Sequence, residues 1–339
     1  MNRLLGVELR RFASRTLLWV VALGLVAVAA FGAFTAWEAS RPPSAAQEAA
    51  LRADFDRAVA EWEENGDQWL AECRESEEAE RAAQEDLPAE ERVEIDYGCD
   101  QMAVPRWEDW GGSPSSFAFT FPGSFVQQAT LYLLAALVMA TSFVAAEFST
   151  GAMGNWLTFA PRRGQVFTSK VLGATLGVLP SAAVALAVTI GASWFAYSLN
   201  GALGEVTGEV WTEIASIALR VLALSAVAAV IGASLAFVLR HTAAVLGAVI
   251  AWAVVVEGIV ANGLVQALRP YSLILAIQAW VAGGTTYWRQ VCTRDARGGQ
   301  SCEGIEETVS MAQGAIEIGI VALLLVLVAA LVFRRRDVS

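Results

Sequence analysis

The chain has 339 residues, of which 56% are apolar and only 17% charged, with a formal net charge of −11. The apolar residues are gathered into long runs, which excludes an ordinary soluble domain and indicates a membrane protein. Charge is segregated too: residues 38–124 carry 22 acidic and seven basic side chains, leaving 12 acidic and 16 basic elsewhere, an acidic insert that argues against nucleic-acid binding.

Residues 1–15 interleave Leu4, Leu5, Leu9 and Phe12 with Arg3, Arg10, Arg11 and Arg15. That pattern predicts an elbow helix lying in the cytoplasmic interface. Residues 16–37 form the first span, since about 20 residues rising about 1.5 Å each cross the hydrocarbon. The run exceeds the roughly 7–15 apolar residues of a cleaved signal peptide, the weaker reading.

Residues 38–124 are read as an acidic extracellular domain, mainly helical. Leu51, Phe55, Val59, Trp62, Trp69 and Leu70 recur at helical spacing, so one or two amphipathic helices are expected. Pro88, Pro105, Pro114 and Pro122 break up its second half, among Trp107, Trp110, Phe117, Phe119 and Phe121. These aromatics read as an interfacial belt, or as a site where an amphipathic substrate leaves the bilayer. The second span follows at 125–146, a cytoplasmic loop at 147–170, and the third span at 171–197, with Pro180 as a kink. The fourth and fifth spans are 213–239 and 243–264, with His241 at the turn between them.

Residues 270–281 are apolar but too few to cross, so a re-entrant or interfacial helix is expected within an extracellular segment, 265–313. The sixth span, 314–333, is stopped by Arg334, Arg335 and Arg336, leaving 334–339 as a cytoplasmic tail. The predicted fold is an all-α membrane protein of six transmembrane helices with both termini cytoplasmic. The arginine distribution agrees with that topology, because inner segments favour Lys and Arg.

The four cysteines lie in the two outer segments as local pairs, Cys73 with Cys99 and Cys292 with Cys302. Disulfides are the favoured reading over a zinc site, whose spacings they do not resemble. No phosphate loop, H-E-x-x-H or G-x-S-x-G occurs, and His241 is the only histidine. No catalytic residue or metal site is assigned, and any ATP hydrolysis is expected in another chain. Two charges fall within spans, Arg220 and Glu257. Counted from the span ends, both lie roughly 10 Å below the outer boundary, and a mutual ion pair is expected. Such a pair either fixes helix register or lies on a gating or substrate path.

The loop 147–170 contains the chain's single lysine and a short apolar stretch, Gly154 to Ala160, ahead of Pro161-Arg162-Arg163. Pro161 helps end any helix begun near Ser149, and the arginines hold the loop at the inner surface. A short amphipathic helix parallel to the membrane is the physical reading.

Glu147-x-x-x-Gly151, then Leu157-Thr158-x-x-Pro161-x-Arg163 and Lys170, resemble the permease subunits of type 2 ABC transporters, the exporter-type membrane domains. The likeness extends to the elbow, the six spans and the short outer helix, while the acidic insert is larger than in compact members. The resemblance implies a permease homodimer in the bacterial plasma membrane, with two ATP-binding subunits holding ATP and magnesium. Its coupling residues would be Glu147, Gly151, Asn155, Trp156, Leu157, Phe159, Pro161, Arg162, Arg163 and Lys170. Trp156, Leu157 and Phe159 would anchor in a groove of the ATPase. Arg162 and Arg163 would pair with its carboxylates or with lipid headgroups, or would only set topology. The implied function is outward movement of a hydrophobic or amphipathic compound (drug, lipid or peptide). The alternatives are a membrane receptor or scaffold, and an ABC subunit transmitting mechanical signals through its acidic domain.

Overall fold

The computed structural model describes residues 2–84, 95–107, 115–159, 162–294 and 300–336. The chain is mostly helical and divides into two compact units. One comprises residues 1–37 and 117–339, and the other is the acidic insert, residues 38–116.

Six helices of the first unit are long and apolar enough to cross a membrane: α2 (Thr16–Ala39), α4 (Phe117–Ser149), α6 (Arg163–Leu199), α7 (Gly208–Leu239), the helix beginning with α8 (Thr242–Ala251), and α10 (Met311–Arg335). The remaining helices are α1 (Asn2–Ala13), α3 (Ala45–Gln84), α5 (Ala152–Phe159) and α9 (Leu273–Ala282). Beyond Ala251, α8 continues as a π-helix over Trp252–Leu264. The protein is a multi-pass membrane protein built around α4, whose middle is the most deeply buried stretch.

Small residues set the helix spacing. A Cβ built on Gly232 of α7 would lie 2.6 Å from the Leu137 carbonyl oxygen of α4. One on Gly314 of α10 would lie 2.5 Å from the Ala276 carbonyl oxygen of α9. Without a hydrophobic driving force between helices in lipid, such close backbone approach supplies the packing energy.

Aromatic groups close both ends. At one end, Phe117, Phe121 and Phe125 stack along α4 at helical spacing with centroids 4.8 and 5.2 Å apart. Phe119, on the opposite face, is 89% exposed. The predicted aromatic belt is therefore split: Phe117 and Phe121 are core, Phe119 faces outward, Trp107 belongs to the insert, and Trp110 lies outside the described residues. At the other end, Phe148, Phe167, Phe237 and Phe333 join α4, α6, α7 and α10. Phe237 lies 4.8 Å from Phe167 and 4.9 Å from Phe333.

The segment 265–313 departs from the all-helical expectation. It contains α9, as the short apolar run predicted, but β1 (Gly284–Arg294) and β2 (Gln300–Ser310) follow as an antiparallel hairpin. Tyr287 faces Glu307 across the ladder and donates to it, while Arg289 Nε donates to the same carboxylate at 2.9 Å. Burial and the adjacent Glu307 push the Tyr287 phenol up to about 12. Cys292 and Cys302 are cross-strand partners joined by a disulfide.

The insert is organised by α3, a single 40-residue helix rather than two. Its apolar stripe packs Trp62 on Trp69 and Phe55 on Trp107. The disulfide Cys73–Cys99 closes the unit, and Arg81 donates to the Ile95 carbonyl at 3.0 Å.

Gly232→Val should wedge α7 away from α4 and cost about 2 kcal/mol, because the 2.6 Å approach leaves no room for a branched side chain. The thermal unfolding midpoint of the full chain in detergent should fall accordingly, while Gly247→Val, at a glycine with open space beside it, leaves it unchanged.

Candidate functional site

The loop between α4 and α6 is organised by Lys170, which is fully buried. Its Nζ donates to Glu147 Oε1 at 2.5 Å and to Glu8 Oε2 at 2.7 Å. Glu147 ends the second long span, Lys170 lies two turns into α6, and Glu8 comes from α1. One ammonium thus joins three helices. Arg11 of α1 adds a 3.3 Å contact to Glu147, bringing the local charge to two positive and two negative.

The α1 helix reaches this depth because α6 offers no side chain in its path. A Cβ on Gly173 would lie 2.8 Å from Glu8 Cβ, and one on Gly177 would lie 2.6 Å from the Phe12 ring. The Gly173-x-x-x-Gly177 spacing therefore makes a groove for α1. Burial pushes the Glu8 carboxyl above the usual carboxylate range, against the pull of the Lys170 ammonium.

A short helix, α5, occupies the loop after Gly151, whose φ of 69° is left-handed and suits glycine. Met153 is buried, and Trp156 presents its ring to two cations, 4.7 Å from Lys170 Nζ and 5.3 Å from the Arg11 guanidinium. Such contacts contribute about 0.5–2 kcal/mol, more where desolvated. Trp156 thus joins α5 to the same node that holds α1, α4 and α6. Asn155 lies in α5, where its carbonyl accepts from the Thr158 hydroxyl at 2.6 Å. Pro161 lies outside the described residues, as do the side chains of Leu157 and Phe159.

Arg162 is exposed at the start of α6. Arg163 is engaged within the chain: its guanidinium donates to the carbonyls of Phe333, Arg334 and Arg336 at 3.2, 3.2 and 2.8 Å. It satisfies the C-terminal carbonyls of α10, where a cation is electrostatically favoured.

The expected ion pair between Arg220 and Glu257 is not formed. The buried Glu257 carboxylate accepts from the Leu273 amide at 2.9 Å, from the Ser272 hydroxyl and from the Trp252 indole at 3.2 Å. Arg220 donates to the Val281 carbonyl at 3.3 Å. The two charges grip opposite ends of α9, the acid at its N-terminus and the base at its C-terminus. That polarity matches the helix dipole, so each charge finds a partner without meeting the other. Depth alone suggested the pair, and it carried no information on α9, whose two ends hold the charges instead.

Glu8 is the member of the site that sequence reading did not select. Its signal was present, since it is the only acid in the first 37 residues and sits among arginines. No metal-holding group of His, Cys, Asp or Glu occurs among the described residues. No family model matches the chain, and no curated protein or solved structure matches it.

Two outcomes follow. An acid raised in the folded state contributes stability that is present below its ordinary value of 4.5 and lost as pH rises through the raised value. The thermal midpoint should therefore drop as pH rises from 4.5 toward neutrality, and Glu8→Gln should flatten that slope. Because Arg220 and Glu257 do not touch, Arg220→Leu and Glu257→Leu should each destabilise, and the double variant should be no more stable than either single variant. Mutual rescue in the double variant, measured by denaturation in detergent, would restore the direct pair.

Proposed function

We propose that this chain is the membrane-spanning permease subunit of an ATP-driven exporter of the type 2 ABC class. On this reading α1 and α5 face the cytoplasm of a bacterial cell. A separate ATP-binding subunit, present in two copies with ATP and magnesium, supplies the energy. A second permease copy completes the assembly, and the cargo is a hydrophobic or amphipathic compound moved outward.

The observation that carries the reading is the coupling of α5 to Lys170. A surface helix that only set topology would not need its tryptophan over a buried ammonium shared by three other helices. Displacing α5 moves Trp156, and through Lys170 and Glu147 the end of α4, the central helix. Arg163 extends the connection to α10. The residues left to meet the ATPase are those of α5 itself and the exposed Arg162, on the polar side of the junction.

A second reading keeps the ATPase but uses its stroke to signal mechanically across the membrane. It is favoured by the insert, a disulfide-closed unit of its own with a strongly acidic sequence. The same disulfide-closed unit would equally suit a receptor or scaffold that has no ATPase.

The test is purification of the tagged full chain from its host membranes, with assay of nucleotide hydrolysis in the eluate. Wild type should carry an ATP-binding protein. Trp156→Asp should lose roughly 30-fold in its retention, the scale of removing a buried aromatic anchor, while the bundle still folds. A wild-type chain with no nucleotide-hydrolysing companion would overturn the reading. ATP-dependent accumulation of an amphiphile in reconstituted vesicles separates export from signalling.

A further inference from the structure

At the end of the bundle that carries the hairpin, a cleft of about 550 Å³ opens between α4, α7 and α9. That volume lies within the range of small-molecule sites, about 300–1,000 Å³. Its apolar lining includes Val126 and Ala129 of α4, Ile217 of α7, and Ile277 and Val281 of α9. Ala129 and Ile217 are buried, so the floor is closed. Around this floor stand Gln127, Thr130, Gln278 and a single charged side chain, Glu213, all exposed.

The wall formed by α9 is held rather than loose. Glu257 secures its first turn, Arg220 its last carbonyls, and Gly314 of α10 packs tightly behind Ala276. Arg220 is the nearby cation on α7, and it does not line the cleft. The Glu213 carboxylate makes no hydrogen bond or ion pair among the described residues. The charge offered to an occupant is therefore negative.

Depth fits this chemistry. Counting along α7 from Leu239, beside Arg240, Glu213 lies 26 residues away, about 39 Å at 1.5 Å per residue. The hydrocarbon is about 30 Å thick, so Glu213 reaches the headgroup layer. Ile217, one turn below it, faces the boundary of the hydrocarbon. A polar group at headgroup level thus stands over an apolar floor.

We infer that this cleft binds a single-chain amphiphile with an ammonium head, the head on Glu213 and the tail against Ile217, Ile277 and Val126. The apolar floor accounts for the tail and the unpaired carboxylate for the head. An anionic amphiphile with the same tail would meet repulsion at Glu213 and find no cation in the lining. The inference concerns binding alone and stands independently of any ATPase, so its failure and the failure of the transport reading are distinguishable.

The test is equilibrium dialysis of dodecyltrimethylammonium, dodecyl sulfate and dodecyl maltoside, below micellar concentrations. The full chain is held in nanodiscs of digalactosyldiacylglycerol, an uncharged lipid without an ammonium group, and empty discs are subtracted. Saturable binding of the ammonium probe at one site per chain is expected. Glu213→Gln should weaken it about five-fold, the scale of a solvent-accessible ion pair, without improving maltoside binding. Gly123→Phe should abolish saturable binding of the ammonium probe, because Gly123 lines the cleft and has open space beside it, so the ring fills the cleft without a clash. Equal affinity for ammonium and sulfate probes, or full ammonium binding in Glu213→Gln, would overturn the assignment. So would loss of the probe when half of the galactolipid is replaced by phosphatidylethanolamine, which would give the site to a resident lipid ammonium.

Discussion

The junction depends on the removal of one ammonium group from water. Lys170 is fully buried, and taking a cation into such a site costs several kcal/mol unless hydrogen-bonded anions surround it. Two carboxylates do so, Glu8 from α1 and Glu147 from α4. The net contribution to stability of such a cluster is small, because the carboxylates are desolvated as well. Each leaves one oxygen, Glu8 Oε1 and Glu147 Oε2, buried without a hydrogen bond. What the cluster supplies is specificity: α1 is fixed against α6 at one register, and the end of α4 is fixed against both. Removing any one of the three groups would leave a buried charge uncompensated, so the helices are constrained to move together.

The other end of the bundle solves a related problem differently. Glu257 and Arg220 are both too costly to leave unpaired at membrane depth, and mutual pairing is the simplest arrangement on paper. The fold instead inserts α9 between them, and the partial charges of its termini serve as both partners. A ten-residue helix that does not cross the bilayer has unsatisfied amides at one end and carbonyls at the other. In lipid these would be as unfavourable as the side-chain charges. Joining the two sets satisfies both, and it makes the position of α9 depend on residues from α7 and from the π-helix.

Much of this was legible in the residues. The six long apolar helices and the short apolar helix α9 follow from the lengths of the apolar runs, and the cysteine pairing follows from locality in sequence. Lys170 and Glu147 stood out as isolated charges at span ends, but sequence does not say which distant acid completes a cluster. Glu8 was hidden because a single acid on a basic amphipathic helix also suits a solvated face. The hairpin was missed for another reason. Residues 284–294 and 300–310 are polar enough to read as loop, with glycines at 298, 299 and 304 adding to that impression. The winding of α8 into a π-helix left no visible signal, since nothing in Trp252–Leu264 breaks an α-helical pattern except Gly258 and Gly263.

These two ends are connected through the same helices. The node at Lys170 grips α4 at Glu147, and α4 runs from there to the cleft at Pro122 and Val126, with Gly232 holding it against α7 on the way. Arg163 grips the last carbonyls of α10, whose opposite end carries Gly314 against α9. A displacement at α5 therefore has two routes to the cleft walls, one along α4 and one along α10. Neither requires a bend, since packed helices transmit axial shifts with little compression. If the routes move unequally, the distance between α4 and α9 changes, and with it the width of the cleft. Close approach at Gly232 ties α7 to the first route, and the grip of Arg220 on Val281 ties α7 to α9. Arg220 and Glu257 thus hold the wall of the cleft that α9 forms, one at each end of that helix.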